Sequence, residues 1–471
     1  MVFADLFFLY VFLPLFIFLY GGAYLLEKRS GDTKARNAVL ILFSLFFYVW
    51  GEPVYILLLI GGVLIDYVCA RTHKEIAGIV LHLLLLAVFK YGNLLLSTAA
   101  SAGVTSPLTS VSIRLPIGIS FYTFQSISYL ADVRAKKCEP QKRFFRLLLY
   151  ISMFPQLIAG PIVRYTSVAA EIEKRSASDR DFAEGIRRFI TGLAKKVILA
   201  DQLAVIVEQT MGSDLNGLTT GMAWLGLIAF SLQIYYDFSG YSDMAIGMGR
   251  CMGFTFPENF DRPYLCSSVT DFWRRWHISL GSFFRDYVYI PLGGNRTGKA
   301  KWVFNILLVW ALTGFWHGAS WNFLIWGVYF GILLLLEKAL VTHKGALYRI
   351  FSLFLIVLGW GIFYFDDFGK MRVFFGILFG AASNAAAGGF LLKTLLSQNA
   401  FLLAAAILLC GLPARKETAA GKKAAHHRSG KRKDAGAPVW ILRALWSAAL
   451  LIVSVLLLIG ASTHPFLYTR F

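Results

Sequence analysis

Long apolar runs separated by short basic blocks dominate this sequence and restrict the class of structure it can form. The first run covers residues 2–26, and about 20 apolar residues are enough for a helix to cross the hydrocarbon core of a bilayer. Hydrophobic residues make up 57% of the 471 residues, against roughly 45–50% in soluble domains. Because a chain in lipid must satisfy its backbone polar groups internally, we expect an all-α polytopic membrane protein.

The number of apolar runs predicts about twelve transmembrane helices, with both chain ends on the outer side. Blocks of Lys and Arg mark the cytoplasmic side of a membrane protein. The blocks around Lys28, Lys136, Lys174 and Lys422 all fall on one side under this count. No basic residue precedes the first apolar run, so this run is not expected to be a cleaved signal peptide.

Some segments are not expected to be simple spans. Residues 147–159 are apolar but short and lie between two basic blocks, so they are predicted to be a re-entrant segment buried in protein. Residues 91–112 are rich in Ser, Thr and Gly and are predicted to be an outer loop or interfacial segment. Residues 371–397 could form either a span or an interfacial segment. Residues 400–412 are predicted to be a short span, and residues 237–301 are predicted to be a long polar block.

The positive charge of the chain is not typical of a nucleic-acid-binding protein. The formal net charge is +19, but the excess lies in short blocks between apolar runs, as in cytoplasmic loops. The largest block, residues 415–433 in a cytoplasmic loop at 414–438, could bind anionic lipid headgroups at about 1 kcal/mol per basic residue. Alternatively, its charge only fixes topology. Five scattered cysteines predict neither a disulfide framework nor a zinc site, and no metal is expected.

Two histidines stand out in residues 259–322. His317 follows the apolar run 302–316, and an ionisable group at that depth is a functional candidate by default. The alternative is a structural histidine bonded between helices. His277 ends the segment DFWRRWH, residues 271–277, which is predicted to be a short amphipathic interfacial helix. It could orient a donor or act in a relay, or its helix could be only an anchor.

General-base catalysis is the natural role for His317, because no serine or metal-binding motif surrounds it. Burial disfavours the charged imidazole. A neutral ring can remove the proton of a hydroxyl that attacks an acyl ester or thioester.

Four nearby residues could hold the phosphates of an acyl donor. Arg274 and Arg275 lie on the amphipathic segment, and Asn295 and Arg296 belong to the turn LGGNR at residues 292–296. This turn lacks the Lys-Ser/Thr pair of a nucleotide-hydrolysing loop. A plain tight turn is the alternative interpretation.

Seven segments of the chain together carry a family resemblance. They are LPIGISFYTFQSISYLADV (115–133), MFPQLIAGPIVRY (153–165), FSGYSDMAIGMGRCMGF (238–254), NFDRPY (259–264), DFWRRWHISL (271–280), FRDYVYIPLGGNR (284–296) and GFWHGASWNFLIWG (314–327). These segments resemble the membrane-bound O-acyltransferase family, and in particular its bacterial alginate O-acetyltransferase-like branch.

The resemblance implies one membrane-embedded acyltransferase domain over residues 1–471, with a catalytic core at about 115–340. It implies a ring of tilted helices around a thinned centre, with additional re-entrant and interfacial helices. His317 would be the family's active histidine and His277 a supporting one.

The resemblance also implies a reaction. No bound cofactor is expected. The donor would be cytosolic acetyl-CoA or an acyl carrier, and the acceptor an extracytoplasmic polysaccharide or peptidoglycan. An SGNH-type acyltransferase outside the membrane and the surrounding lipids would be the partners, in a multi-pass protein of the bacterial inner membrane. Transfer of D-alanine to teichoic acid is the alternative within the family. A glycan or lipid transporter is the alternative outside it, resting on span number and charge.

Overall fold

The computed structural model describes residues 1–103, 113–212, 215–381, 385–412, 437–460 and 466–467, and these residues form helices without any strand. Residues 414–436 of the predicted basic loop lie outside the described residues, and a helix begins at residue 437. The α-helices are α1 (Phe8–Ser30), α2 (Lys34–Gly51), α3 (Ile56–Arg71), α4 (Glu75–Ser101), α5 (Ile119–Arg134), α6 (Phe144–Ser152), α7 (Phe154–Leu157), α8 (Tyr165–Glu173), α9 (Asp179–Ala194), α10 (Asp201–Val207), α11 (Thr220–Cys251), α12 (Val269–Arg275), α13 (Ile278–Phe284), α14 (Lys299–His317), α15 (Trp321–Leu340), α16 (Ala346–Tyr364), α17 (Phe368–Leu378), α18 (Ala385–Cys410) and α19 (Ala437–Gly460).

Shorter helical turns connect or extend several of these helices. α1 begins with the π-helical turn Phe8–Phe12, and α4 contains the π-helical turn Ala87–Tyr91. The remaining turns are the π-helical Lys195–Ala200, Glu208–Gly212 and Arg285–Tyr289, and the 3₁₀-helical Leu215–Gly217 and Pro263–Leu265.

Six helices in the described part of the chain are long and apolar enough to cross a membrane. They lie in α1, α4, α15, α16, α18 and α19. The prediction of an all-helical membrane protein is therefore confirmed, while the total of about twelve spans stays a prediction. The longest helix, α11, is not among the six, and it carries the polar residues Gln233, Asp237 and Asp243 inside the protein.

Three predictions of element boundaries are wrong. Helix α4 continues into the predicted outer loop or interfacial segment as far as Ser101, and the hydroxyls of Ser97 and Ser101 bond to carbonyls of the helix itself. Helix α11 continues into the predicted polar block as far as Cys251. Helix α18 combines the end of the ambiguous segment with the predicted short span at 400–412.

The predicted re-entrant segment forms two short helices, α6 and α7, which are broken at Met153. Residues 147–157 are all buried. The backbone N–H of Phe154 donates to the hydroxyl of Ser44 on α2, 3.1 Å away, so a side chain satisfies a donor at the break. Burial and satisfied backbone groups are what non-helical backbone at membrane depth requires. The membrane position of this segment stays a prediction.

Glycines bring two pairs of helices into backbone contact. On α9 and α11, a Cβ at Gly192 would lie 2.5 Å from the carbonyl oxygen of Gly240, and a Cβ at Gly247 would lie 2.6 Å from that of Gly185. Small residues allow such close approach where lipid provides no hydrophobic force between helices. On α14 and α15, Gly314 and Gly327 face each other in the same way. This second contact places the end of α14, and therefore His317, inside the protein.

Candidate functional site

His317 is the last residue of α14 and lies in a box of aromatic rings. Its side chain is buried, and its ring meets Trp326 edge to face at 5.0 Å and Phe363 at 5.4 Å between centroids. The chain turns away at Gly318, where the ring of Phe323 occupies the space that a Cβ would need. The imidazole is thus held by packing on several sides, in a region with little access to bulk water.

Two consecutive residues of α4 bind the carbonyl end of the His317 helix. The Nζ of Lys90 donates to the carbonyl oxygen of Trp316, and the hydroxyl of Tyr91 donates to that of Phe315 at 2.7 Å. The last carbonyls of a helix have no partner inside the helix, so these side chains satisfy groups that would otherwise be orphaned. A helix from the first quarter of the chain therefore fixes the turn that ends at His317.

His277 lies between α12 and α13, with its backbone in the left-handed region at φ 44°. It was predicted to end the helix of residues 271–277. This prediction is wrong, because the helix stops at Arg275 and the chain reverses at His277 before α13 begins. The left-handed conformation is uncommon for residues other than glycine, and it directs the chain so that the His277 ring is buried.

The hydrogen bonds of Asn259 determine which nitrogen of His277 carries the proton. The amide nitrogen of Asn259 must face the carbonyl oxygen of Gly160, and its oxygen must face the backbone N–H of Ser279. The Nδ1 of His277 lies 3.1 Å from the same amide oxygen, so it donates a hydrogen. In a neutral imidazole the Nε2 then carries the lone pair. His277 is thus oriented to accept a hydrogen bond or a proton at Nε2.

Trp316 contacts both histidines. Its ring centroid lies 5.6 Å from that of His277 and 5.0 Å from that of His317. On α5, Phe121 and Phe124 pack against the same indole. The two histidines therefore share one rigid aromatic neighbour.

A cavity of about 860 Å³ leads from the protein surface to His277. Trp276 and His277 are buried at its inner end, whereas the basic side chains in its wall are exposed and mark its mouth. These basic residues are Arg274, Arg285, Lys338 and Lys344. His317 is not part of the wall, but Thr313, one turn earlier on α14, is. The volume falls in the roughly 300–1,000 Å³ range of small-molecule sites.

The structure brings together some of the predicted donor-binding residues and not others. Arg274 lines the cavity. Arg275 instead forms an ion pair with Asp271, with Nε 3.0 Å from Oδ1. Asn295 and Arg296 are exposed in the turn after the cavity wall and do not line the cavity. Their role in donor binding stays a prediction.

Sequence reasoning missed Lys90 and Asn259, which hold the two histidines, and the cavity residues Arg285 and Lys338. The sequence contained a signal for Lys90, because this lysine has apolar residues on both sides in the run LLLLAVFKYGNLLL. A lysine inside a spanning helix is a functional candidate. No comparable signal identified Asn259.

The chain was compared with known proteins. The model of the membrane-bound O-acyltransferase family matches residues 6–365. A probable alginate O-acetylase of Pseudomonas aeruginosa is 41% identical over 384 residues, covering 77% of this chain and 72% of that protein. A peptidoglycan O-acetyltransferase of Helicobacter pylori is 36% identical over 370 residues, covering 69% and 70%. A teichoic acid D-alanyltransferase of Bacillus subtilis is 30% identical over 230 residues, covering 46% and 58%. The chain therefore belongs to the membrane-bound O-acyltransferase family and is an enzyme that transfers acyl groups to hydroxyls.

Proposed function

We propose that the chain moves an acetyl group from acetyl-CoA across the membrane toward hydroxyl groups of an extracytoplasmic polysaccharide or of peptidoglycan, by way of a partner transferase. The observation that carries this proposal is the path from an exposed basic mouth, through a cavity of about 860 Å³, to the buried His277. The ring of Trp316, which contacts His277, also contacts His317. A donor with phosphates at one end and a long thioester arm fits this arrangement. Its phosphates would meet Arg274, Arg285 and Lys338, while its acyl group reaches the histidines.

His317 acts as the general base in this proposal. The acceptor oxygen attacks the thioester carbonyl while His317 takes the hydroxyl proton. The new C–O bond forms, the C–S bond breaks, and the departing sulfur takes up a proton as free CoA. His277 supports the step from the cavity side, where its Nε2 lone pair faces the bound donor arm. Such general-base assistance contributes typically 10²–10⁴-fold to the rate.

The acetyl group crosses the bacterial inner membrane in this scheme. The donor binds from the cytoplasm, and the acceptor approaches from the opposite side. A separate SGNH-type acyltransferase outside the membrane passes the group to the polymer. Acetyl is preferred to D-alanyl because the relatives matched over about 70% or more of their own length are O-acetylating enzymes, whereas 58% of the D-alanyltransferase is matched.

The decisive experiment uses purified protein in proteoliposomes with labelled acetyl-CoA on the side of the basic mouth. Alginate or peptidoglycan fragments serve as acceptors, with and without the outer partner enzyme. Wild-type protein should transfer label, and His317→Gln should lose at least roughly 10²-fold. Glutamine roughly keeps the volume and hydrogen bonding but cannot take the proton.

Two outcomes would contradict the proposal. A His317→Gln variant with near-normal turnover would make this histidine structural and exclude it as the base. Wild-type protein that transfers no acetyl but uses a D-alanyl donor, or only moves glycan across the vesicle, would replace acetyl transfer with one of the alternatives. Unchanged donor binding by the variant is the control that it is folded.

A further inference from the structure

Lys90 is a buried lysine in a helix that is apolar enough to span the membrane. The residue is 5% exposed. Its Nζ donates to the hydroxyl of Ser120 at 3.1 Å and to the carbonyl oxygen of Trp316. Both partners are uncharged, and among the described residues Lys90 belongs to no ion pair. A buried charge without a counter-ion is costly, and in a spanning helix it suggests a function.

The contacts of Lys90 converge on Trp316. The ammonium binds the backbone carbonyl of this residue and lies 5.8 Å from the centroid of its indole ring. A hydrogen bond from a charged donor is roughly twice as strong as a neutral one. A cation at a helix carboxyl end is also favoured by the helix dipole. Through Ser120 on α5, the same ammonium ties α4, α5 and α14 together at one point.

We propose that Lys90 is a positioning residue for both histidines of the site. It fixes the backbone and the ring of Trp316, whose indole contacts His277 and His317, and so sets the spacing and orientation of the two imidazoles. This inference rests on the proposed acyl transfer at His317. In this inference the positioning of the two imidazoles needs the charge of Lys90. The neutral hydroxyl of Tyr91, which binds the same end of α14, does not contribute to that positioning.

The chain itself offers a matched pair of variants. Lys90→Met removes the charge and keeps an apolar chain of similar length, whereas Tyr91→Phe removes only the neutral bond to Phe315. Lys90→Met should lower kcat about 10- to 100-fold, less than the roughly 10²–10³-fold loss when a donor in direct contact with the reacting oxygen is removed. The KM for acetyl-CoA should stay within about twofold, because Lys90 does not line the cavity.

Thermal stability distinguishes a positioning role of Lys90 from a role that only caps α14 and stabilises the fold. Each variant leaves one carbonyl of α14 without its donor, but Lys90→Met also removes an uncompensated buried charge, so it should not lower the Tm more than Tyr91→Phe does. Equal losses of kcat in the two variants, or unchanged kcat in Lys90→Met, would overturn the proposal. So would a loss of kcat in Lys90→Met that merely follows a lower Tm.

Chemical rescue tests the charge. In Lys90→Ala, added propylammonium supplies the truncated atoms with their charge, and n-propanol supplies a similar chain without it. Transfer of label to the acceptor should recover with propylammonium and not with n-propanol. Equal rescue by both would show that the charge is not needed.

A measurement without turnover separates this inference from the proposed function. With 5-fluorotryptophan in the protein and the Trp316 signal assigned through Trp316→Phe, Lys90→Met should shift or broaden that ¹⁹F signal. If this signal responds while the wild-type protein transfers no acetyl group, the proposed function fails and the positioning contact stands. An unchanged signal would overturn the positioning role itself.

Discussion

The backbone at His277 restricts which side chains can replace it. Its φ of 44° is the left-handed conformation, which costs most L-residues roughly 1–2 kcal/mol and which Asn tolerates better. An alanine at this position therefore removes the imidazole with its hydrogen bond to Asn259, and it also adopts the left-handed backbone at a cost. Loss of function in such a variant would have two causes, the missing imidazole and the cost of the left-handed backbone, and these must be measured separately.

His277→Asn and His277→Ala should differ in stability and agree in donor use. Both remove the imidazole that lines the cavity, so the KM for acetyl-CoA should rise in both. Only the alanine variant should show a clearly lower Tm, by the backbone cost above. Steady-state kinetics at limiting donor, together with thermal unfolding in detergent, would measure the two effects. Wild-type activity of His277→Asn at limiting donor would leave this residue with a structural role alone.

At the scale of the residue, the sequence indicated side chains whose type is unusual for their surroundings. Both histidines stood out in this way, and the structure places them against the same indole ring of Trp316, while their catalytic roles stay predictions. Arg274 and Arg275 could not be distinguished, because successive helical residues point about 100° apart and the direction of the cavity was unknown. Lys90 was overlooked because the segment after it was predicted to be a loop, which removed the reason to regard it as buried.

At the scale of the helix, close backbone contact is what orients the site. Gly314 on α14 faces Gly327 on α15, and a Cβ at Gly327 would collide with the carbonyl oxygen of Trp310. The contact between Gly314 and Gly327 could not be predicted from the sequence, because the sequence does not show which two helices cross. The apolar run 302–316 did predict α14 to within a few residues.

Gly327→Ala should push α14 away from α15 and disturb His317 at its end. Overpacking of this kind costs typically 1–3 kcal/mol, so we expect a lower Tm and reduced acetyl transfer. Gly22→Ala in α1 is the matched control, since a Cβ there meets nothing within 4 Å. Ala is also the better helix former. Equal behaviour of the two variants would mean that α14 and α15 can separate without affecting the site.

Over the whole molecule, the cavity and the basic blocks predict one orientation in the membrane. The mouth carries Lys338 and Lys344, and cytoplasmic loops carry such an excess of Lys and Arg. Lys28 and Lys174 should then face the cytoplasm, as should Lys422, which lies outside the described residues. Asp366, exposed beyond the opposite end of α16, should face outward.

Cysteine labelling checks this orientation. With the partly exposed Cys138 and Cys251 replaced by serine, single cysteines at positions 28, 174, 422 and 366 are treated with an impermeant maleimide. Only position 366 should react in intact cells, and the others only after permeabilisation. Labelling of position 28 or 174 in intact cells would reverse the orientation and place the cavity mouth outside.

Sequence composition was sufficient for the class of the molecule and for its family, because apolar content and seven motifs extend over most of the chain. It could not show that the N-terminal helices belong to the site. The predicted core at about 115–340 leaves out Lys90 and Tyr91, although these residues hold the helix that carries His317. Contacts between residues so distant in sequence leave no local pattern to read.

The hydrogen bond between Lys90 and Trp316 can form only late in the synthesis of the chain. The two residues are 226 positions apart, and at roughly 5–20 residues per second of synthesis the ribosome needs about 11–45 s to connect them. Ser120, 30 positions after Lys90, emerges within about 2–6 s at the same rate. During this interval α4 has been made, but the carbonyl oxygen of Trp316 that Lys90 binds in the folded protein has not. The nascent protein therefore passes through a period in which Lys90 lacks one of its two hydrogen-bond partners.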